Sequence, residues 1–426
     1  MKKVLENPYI LFSPFLVFSI AIVFLYPTHG TFGDENRYLF FASNLIHGYY
    51  SPPAPDIELG NGPGYSLILA PLVALKLPLT CITLFNAFLH YFSIILFYKT
   101  LRIFLSLKYT LIFSIFWGCY ANTYENIPII HNEILAIFLI ISIIYSLIKS
   151  YRQENGKRYL ILAGFLIGYL ILTKPIFSYV LFFMLIGNLL FLLIIKKKEN
   201  LTKGFIALIT AFITILPYSV YTYAITGRIF YFSTNGGDTL YWMSTPFEKE
   251  YGSWYPFHTF SLDSNAIKNH DLIPGGEELI KSNHRKSFEI IFSYKGIERD
   301  DELKKIAIEN IKTHPLKFIK NCFCNIGRII FNFPYSYTAQ KPATLLRLPF
   351  NGIISVFILL CFIPTVINWR RIFFPIRFLL IFSLFYFFGS ILGSAETRMF
   401  TLIVPILLFW IAYILNKTVL INIKFD

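Results

Sequence analysis

Charged side chains are scarce in this chain: they make up 15% of its 426 residues, with 24 Asp and Glu against 38 Lys and Arg. A soluble domain carries about 25%. With a mean hydropathy of +0.58, this scarcity excludes an ordinary soluble enzyme and indicates a polytopic membrane protein. Cysteine is sparse too. Of Cys81, Cys119, Cys322, Cys324 and Cys361, the last close pair lacks both CxxC spacing and histidine partners, which argues against a zinc or dithiol redox centre. The sequence has no Gly-rich phosphate loop, no Ser-His-Asp order signature, no fixed-period repeat and no low-complexity tract. Tyr26-Pro27-Thr28-His29-Gly30 offers no small-x-small cleavage site, so Met1-Lys2-Lys3 and the apolar run behind it read as an uncleaved first span.

Long apolar runs are what the sequence does have. They predict an all-α polytopic membrane protein with about ten transmembrane helices, near 9–28, 80–98, 109–124, 130–148, 158–174, 177–195, 203–224, 345–367, 372–392 and 398–415. Alternating these from a cytoplasmic Lys2-Lys3 puts every short basic cluster inside: Lys99/Arg102/Lys108, Lys149/Arg152/Lys157/Arg158, Lys196-Lys197-Lys198, Arg370-Arg371, and Lys417 with Lys424. The formal charge of +14 is thereby a topology signal under the positive-inside rule, with no nucleic-acid partner expected.

Three regions follow. Residues 1–226 form an N-terminal transmembrane module with a first outer loop at 29–79; 227–342 form a larger, mixed outer-side loop domain; 343–426 supply the C-terminal transmembrane helices. The first loop is expected to hold interfacial helices, one from Glu35 to Gly48 and one over Tyr65–Leu77, because counting the latter as a span would turn the basic loops outward. In the outer domain, Asn235-Gly236-Gly237-Asp238 and Pro274-Gly275-Gly276 read as turns, Asp300–Lys312 as a helix, and Pro315–Phe333 as a basic amphipathic helix on the membrane surface.

The same alternation places four charged sets on the outer side: Asp34/Glu35/Arg37, Glu125 with His131 and Glu133, Lys174, and Glu396/Arg398. Ionisable groups beside a bilayer are costly and mark functional sites. One shared cavity explains all four better than four separate caps in the headgroup region. Sugar transfer from a lipid phosphate needs a carboxylate to take the proton of the attacking hydroxyl, and cations to hold the departing phosphate. Asp34 fits the first role; Arg398, Lys174 and Arg37 fit the second. His131 and Glu133 could ligate a divalent metal, but two ligands do not specify one, and no cofactor is otherwise indicated. Tyr241, Trp242, Trp254 and Tyr255 are candidates for stacking on sugar rings or for anchoring the outer loop at the interface.

These residues carry a resemblance. Asp34-Glu35-Asn36-Arg37-Tyr38, Pro63-Gly64-Tyr65, Asn132-Glu133, Leu172-Thr173-Lys174-Pro175, Gly236–Tyr241, and Glu396-Thr397-Arg398-Met399 with Pro405 together resemble motifs of the bacterial relatives of dolichyl-phosphate-mannose protein mannosyltransferases. That branch of the C-type (GT-C) membrane glycosyltransferases includes the lipid A aminoarabinose transferase. The resemblance implies Asp34 and Glu35 as the catalytic carboxylate pair, with Asp34 the base. It implies donor-phosphate binding by Lys174, Arg398 and Arg37, and a second acidic or acceptor site at Glu133 with His131, Tyr38 and Glu396. It further implies inversion at the anomeric carbon, a polyprenyl-phosphate sugar donor, and as acceptor a hydroxyl or phosphate of an envelope lipopolysaccharide, glycan, glycolipid or protein. The site would face outward from the inner (cytoplasmic) membrane. Departures are Asn61-Gly62 where a basic residue is common, Lys174 for Arg, and Met399 for Tyr. A flippase would show internal symmetry, which is absent, and a polysaccharide polymerase or ligase would not need the acidic pair after the first span.

Overall fold

The computed structural model describes residues 7–27, 33–194, 199–255, 272–340, 342 and 344–418. In chain order its helices are α1 (Pro8–Leu11), α2 (Ser13–Leu25), α3 (Asp34–Ile46), α4 (Pro63–Ala74), α5 (Leu79–Leu101), α6 (Leu107–Gly118), α7 (Ala121–Tyr124), α8 (Glu133–Arg152) and α9 (Gly156–Thr173). Then come α10 (Phe177–Ile194), α11 (Glu199–Thr226), α12 (Gly236–Met243), α13 (Gly276–Ile291), α14 (Gly296–Thr313), α15 (Pro315–Phe331), α16 (Thr344–Ile367), α17 (Phe374–Leu392) and α18 (Thr397–Thr418). Among the described residues the extended structure is one isolated bridge, Leu272 to Thr338. The chain is an all-α polytopic membrane protein.

Among the described residues eight helices are long and apolar enough to cross a membrane: α5, α8 to α11, and α16 to α18. The other two expected spans are broken. Pro14 sits in the first turn of α2 and lacks an N–H, so the chain restarts there and leaves α1 and α2 as separate pieces. The stretch expected at 109–124 ends as a helix at Gly118 and resumes as the single turn α7. Both broken segments still run alongside intact helices. The Tyr9 carbonyl accepts from Tyr91 near the middle of α5, and the Tyr9 hydroxyl accepts from Lys99 near its end. Phe104 and Asn122 bracket α6 and contact Asn416 and Thr401, at opposite ends of α18.

Burial sorts the helices. Helices α8 and α18 are enclosed, and their Ile, Leu and Val side chains pack against α5, α9 and each other. Helices α10 and α16 point large apolar side chains outward, with Ile194 at 76% and Leu359 at 73% exposure; in water this would be a liability, in lipid it is the expected belt. Gly164 and Gly168, one turn apart on α9, let α11 approach so closely that a Cβ at either would meet Ala207 O or Thr214 Cβ at 2.5 Å.

The segment expected to form the outer domain has its own core of Tyr241, Trp242, Tyr255, Ile280, Phe288, Ile291, Leu303 and Tyr337. Two sequence expectations change here. Asn235–Asp238 begins a helix, because Asp300 Oδ1 accepts the Gly237 N–H at 2.5 Å and satisfies a first-turn donor. Gly275 adopts φ +74 and starts α13, a helix the sequence reading missed. Tyr241, Trp242 and Tyr255 are core side chains, all at most 3% exposed, and Trp254 alone of the four stays accessible at 39%. Helix α15 is amphipathic as expected, but its polar side faces inward. Asn321, Asn325 and Arg328 are fully buried, while Leu316 and Phe323 are 81% and 70% exposed.

Candidate active site

The four charged sets expected on the outer side meet at one end of the bundle. Helix α3 opens on Asp34 and Glu35 immediately after Gly33, which takes φ +54. A carboxylate in a first turn is favoured by the helix dipole. Asp34 points to the cluster, where Arg37, one turn on, ion-pairs with its Oδ1 and Arg398 Nη1 lies 3.1 Å from its Oδ2. Glu35, about 100° around the helix, turns away. It is 8% exposed and its Oε1 accepts the Ile130 N–H at 2.9 Å. That anchors the segment leading into α8 and sets Glu35 apart from Asp34, to which Arg37 is bonded.

The second half of the cluster comes from the junction of α8 and α9. Lys174 precedes Pro175, and a pre-proline residue avoids the helical region; it accordingly leaves α9 extended, at φ −135 and ψ 98. Asn132 Nδ2 donates to Thr173 O at 2.6 Å and ties the start of α8 to this exit. Lys174 Nζ thus sits 2.8 Å from Glu133 Oε1, with side-chain exposures of 9% and 1%. Gly62 and Gly64 complete the junction, since a Cβ at Gly62 would meet the Leu172 backbone, and one at Gly64 the Leu172 and Thr173 backbone, within 3 Å.

Arg398, in the first turn of α18, links the two halves. It lies 3.7 Å from Glu133 Oε1 and its Nε 3.4 Å from Glu396 Oε2, and its side chain remains 31% exposed. His131 Nδ1 is 3.8 Å from Glu133 Oε2, an oxygen with no hydrogen-bond donor among the described residues. Tyr38 is buried with its ring edge-on to Tyr65 at 5.0 Å. Burial, with Glu133 and Asp34 nearby, raises its phenol well above the usual range. Burial would also raise the Asp34 carboxyl, but Arg398, Arg37 and His131 override it and hold the group well below the usual carboxylate range. Three carboxylates (Asp34, Glu133, Glu396) face three fixed cations (Arg37, Lys174, Arg398). A bound anion must therefore take a cation from a carboxylate, and the more accessible Arg398 is better placed to be taken than Lys174.

Beside the cluster opens a cavity of about 460 Å³, walled in part by His131, Glu396 and Arg398. Its far wall holds groups that the sequence reading did not assign, Asn122 and Arg347 among them. Arg347 bonds Glu125, Nε to Oε1 at 2.9 Å. The signal for Arg347 was present: a lone arginine in Leu345-Leu346-Arg347-Leu348 is costly in an apolar helix and needs a partner. Asn122 gives no such signal.

No protein-family model matches the chain, and no curated protein matches it in sequence. Solved structures do. The oligosaccharyltransferase of Archaeoglobus fulgidus, tethered to an acceptor peptide, superposes with a TM-score of 0.51 at 15% identity, covering 95% of this chain and 49% of that one. The ArnT of Cupriavidus metallidurans bound to undecaprenyl phosphate gives a TM-score of 0.40 at 11% identity, covering 92% and 77%. The chain spans about half the length of the oligosaccharyltransferase. Over nearly its whole length it therefore has the fold of that enzyme's matching half, in agreement with the membrane glycosyltransferase fold its sequence motifs resemble.

Proposed function

We propose that this protein is an inverting glycosyltransferase. It moves one sugar from a polyprenyl-phosphate donor to a hydroxyl of a cell-envelope glycan, lipid or protein on the outer side of the inner membrane. The observation that carries the reading is Arg398 Nη1 at 3.1 Å from Asp34 Oδ2, joining the helix after the first span to the last helix of the chain. The Archaeoglobus fulgidus oligosaccharyltransferase was solved with an acceptor peptide, one of the acceptor classes this reading allows.

The chemistry follows from the pairing. In the free enzyme Arg398 neutralises Asp34 and depresses its basicity. A donor phosphate entering beside Arg398 draws the guanidinium to itself, since charge-assisted contacts to phosphate are strong. Asp34 then loses its closest competitor for a proton. The acceptor oxygen attacks the anomeric carbon while Asp34 takes its proton, the carbon–phosphate oxygen bond breaks, and the electron pair leaves on polyprenyl phosphate stabilised by Arg398. A single displacement inverts the anomeric centre. Lys174 acts through Glu133, holding the carboxylate that flanks Arg398, and Arg37 holds Asp34 in place. Residues 1–226 and 343–426 supply the reacting groups, and 227–342 covers them and meets the acceptor.

The test is a purified assay with polyprenyl-phosphate sugars. General-base catalysis contributes about 10²–10⁴-fold, so Asp34→Asn should insert normally and lose transfer by that factor, while Glu35→Gln should lower expression more than turnover. A fully active Asp34→Asn enzyme would remove Asp34 from the base role and sink the mechanism.

A further inference from the structure

The cavity beside Arg398 is a built site, and its chemistry differs from that of the ion cluster. Asn122 is 4% exposed and lines it. The Asn122 amide cannot be turned round without loss. The Tyr120 hydroxyl donates to Asn351 Oδ1 at 2.7 Å, so it accepts from Asn122 Nδ2 at 3.2 Å, and Thr401 Oγ1 lies 3.4 Å from the same nitrogen. Asn351 is held in turn by donating to Ile330 O at 2.6 Å. This chain of bonds leaves Asn122 Oδ1 as a buried acceptor with no donor among the described residues. A buried acceptor without a donor is costly to keep, and the residue that carries it lines space that a ligand can fill.

The rest of the wall has the same character. The carboxylates of Glu125 and Glu396 face the cavity, each shared with one arginine, Arg347 or Arg398. Gln340 has its amide nitrogen engaged by Asn332 O and Thr344 Oγ1, both at 2.9 Å. A site for phosphate alone would present unshared cations. This one presents acceptors, amides and carboxylate–guanidinium pairs, the groups that meet a ring whose hydroxyls both donate and accept. The volume of about 460 Å³ lies in the usual range for small-molecule sites, roughly 300–1,000 Å³.

We propose that this cavity holds the sugar of the donor while its phosphate rests on Arg398, and that Asn122 and the Glu125–Arg347 pair select it. The proposal rests on the transferase reading above. The donor is favoured over the acceptor because Arg398 and His131 line the cavity and Asp34 does not: a group seated there lies on the phosphate-holding side of Arg398, whereas the acceptor hydroxyl must reach Asp34. Asn122 Oδ1 then receives a sugar hydroxyl. Glu125 and Arg347, bonded to each other in this structure, divide between a hydroxyl proton and a ring or hydroxyl oxygen.

The experiment measures binding to the full chain in nanodiscs. The probes are decaprenyl phosphate, bare or carrying glucose, mannose, galactose or N-acetylglucosamine. Wild type should bind one glycosylated probe more tightly than the bare lipid. Asn122→Leu and Glu125→Gln should each weaken that probe roughly tenfold, the scale of one lost hydrogen bond with its partner stranded, and leave bare decaprenyl phosphate unchanged, which also reports that they fold. Arg398→Ala should weaken both forms. Equal loss for bare and glycosylated lipid, or no loss in either cavity variant, overturns the proposal. So does an unchanged donor affinity with a raised acceptor KM, which would give the cavity to the acceptor. Failure of wild type to bind any of the five probes would instead refute the transferase reading itself.

Discussion

The Asp34 carboxyl lies under opposing influences: burial raises it, while Arg398, Arg37 and His131 lower it further than burial lifts it. A carboxylate held that low is a poor base until one of those cations is engaged elsewhere, which is what binding of a phosphate to Arg398 would do. The pH profile should show it. For kcat/KM, which reports the free enzyme, Asp34 should contribute no acid limb down through the ordinary carboxylate range near pH 4. Arg398→Ala removes the largest lowering influence and leaves the burial, so the Asp34 pKa rises and an acid limb should enter at higher pH. The same variant should lose roughly 2–4 kcal/mol of transition-state stabilisation, read as a fall in kcat/KM. A profile whose acid side does not move in Arg398→Ala would show that Asp34 is not the titrating base.

Helix α15 bears on Arg398 without touching it. Asn325 Nδ2 donates to the carbonyls of Ser390 and Ile391 at 3.0 Å and of Gly393 at 2.6 Å, and its Oδ1 accepts the Ala395 N–H. Arg328 donates to the carbonyls of Ala395, Tyr251, Gly252 and Pro334, and to Asn325. These bonds fix the turn between α17 and α18 from which Glu396 and Arg398 emerge. Arg328→Lys keeps the charge and loses the fork, leaving carbonyls unmet at roughly 1–3 kcal/mol each; thermal unfolding should fall, and kcat should drop more than donor KM rises. Helix α12 offers a second element-scale check. The Asp238 carboxyl is pushed up to about 7, chiefly by burial and against the Trp254 hydrogen bond and nearby Arg299 and Arg37. Its folded pKa exceeds the ordinary 3.8, so the native state keeps a proton that the unfolded chain releases first. The stabilisation is full below that lower value and is lost as pH rises through about 7. Trp254 fluorescence should therefore report earlier melting of the outer segment at pH 8 than at pH 5, and Asp238→Asn should flatten the difference.

At the scale of the whole molecule, the sequence was most legible where a residue's solvation energy clashes with its surroundings. Asp34, Glu133, Lys174 and Arg398 stood out because charges beside lipid need a reason, and the structure brings all four together. Arg328 and Asn325 stayed hidden because an amide or guanidinium that bonds backbone carbonyls 65 or more residues away leaves no local pattern, and Asn122 because the Thr401 hydroxyl it meets is equally remote in sequence. The helix breaks at Pro14 and Gly118 were visible as residues but not as consequences. The bundle adds an argument about sidedness that the loops alone could not make. Arg152 stacks over Phe104 and Phe373, and Asn416 bonds Phe104 O, which gathers the basic loops at one end. Asn122 bonds Thr401 near the start of α18, roughly 22 Å away at about 1.5 Å per residue, and the ion cluster lies at that opposite end. Positive loops stay in the cytoplasm, so the cluster should face outward whichever of the shorter helices are immersed. In a variant with Cys81, Cys119, Cys322, Cys324 and Cys361 replaced by serine or alanine, a single cysteine at Glu248 should react with an impermeant maleimide on intact cells. One at Lys157 should react only after the membrane is opened. The reverse pattern would turn the active site inward and exclude an acceptor on the outer surface, and labelling of both from outside would overturn the assignment of the basic loops to the cytoplasm.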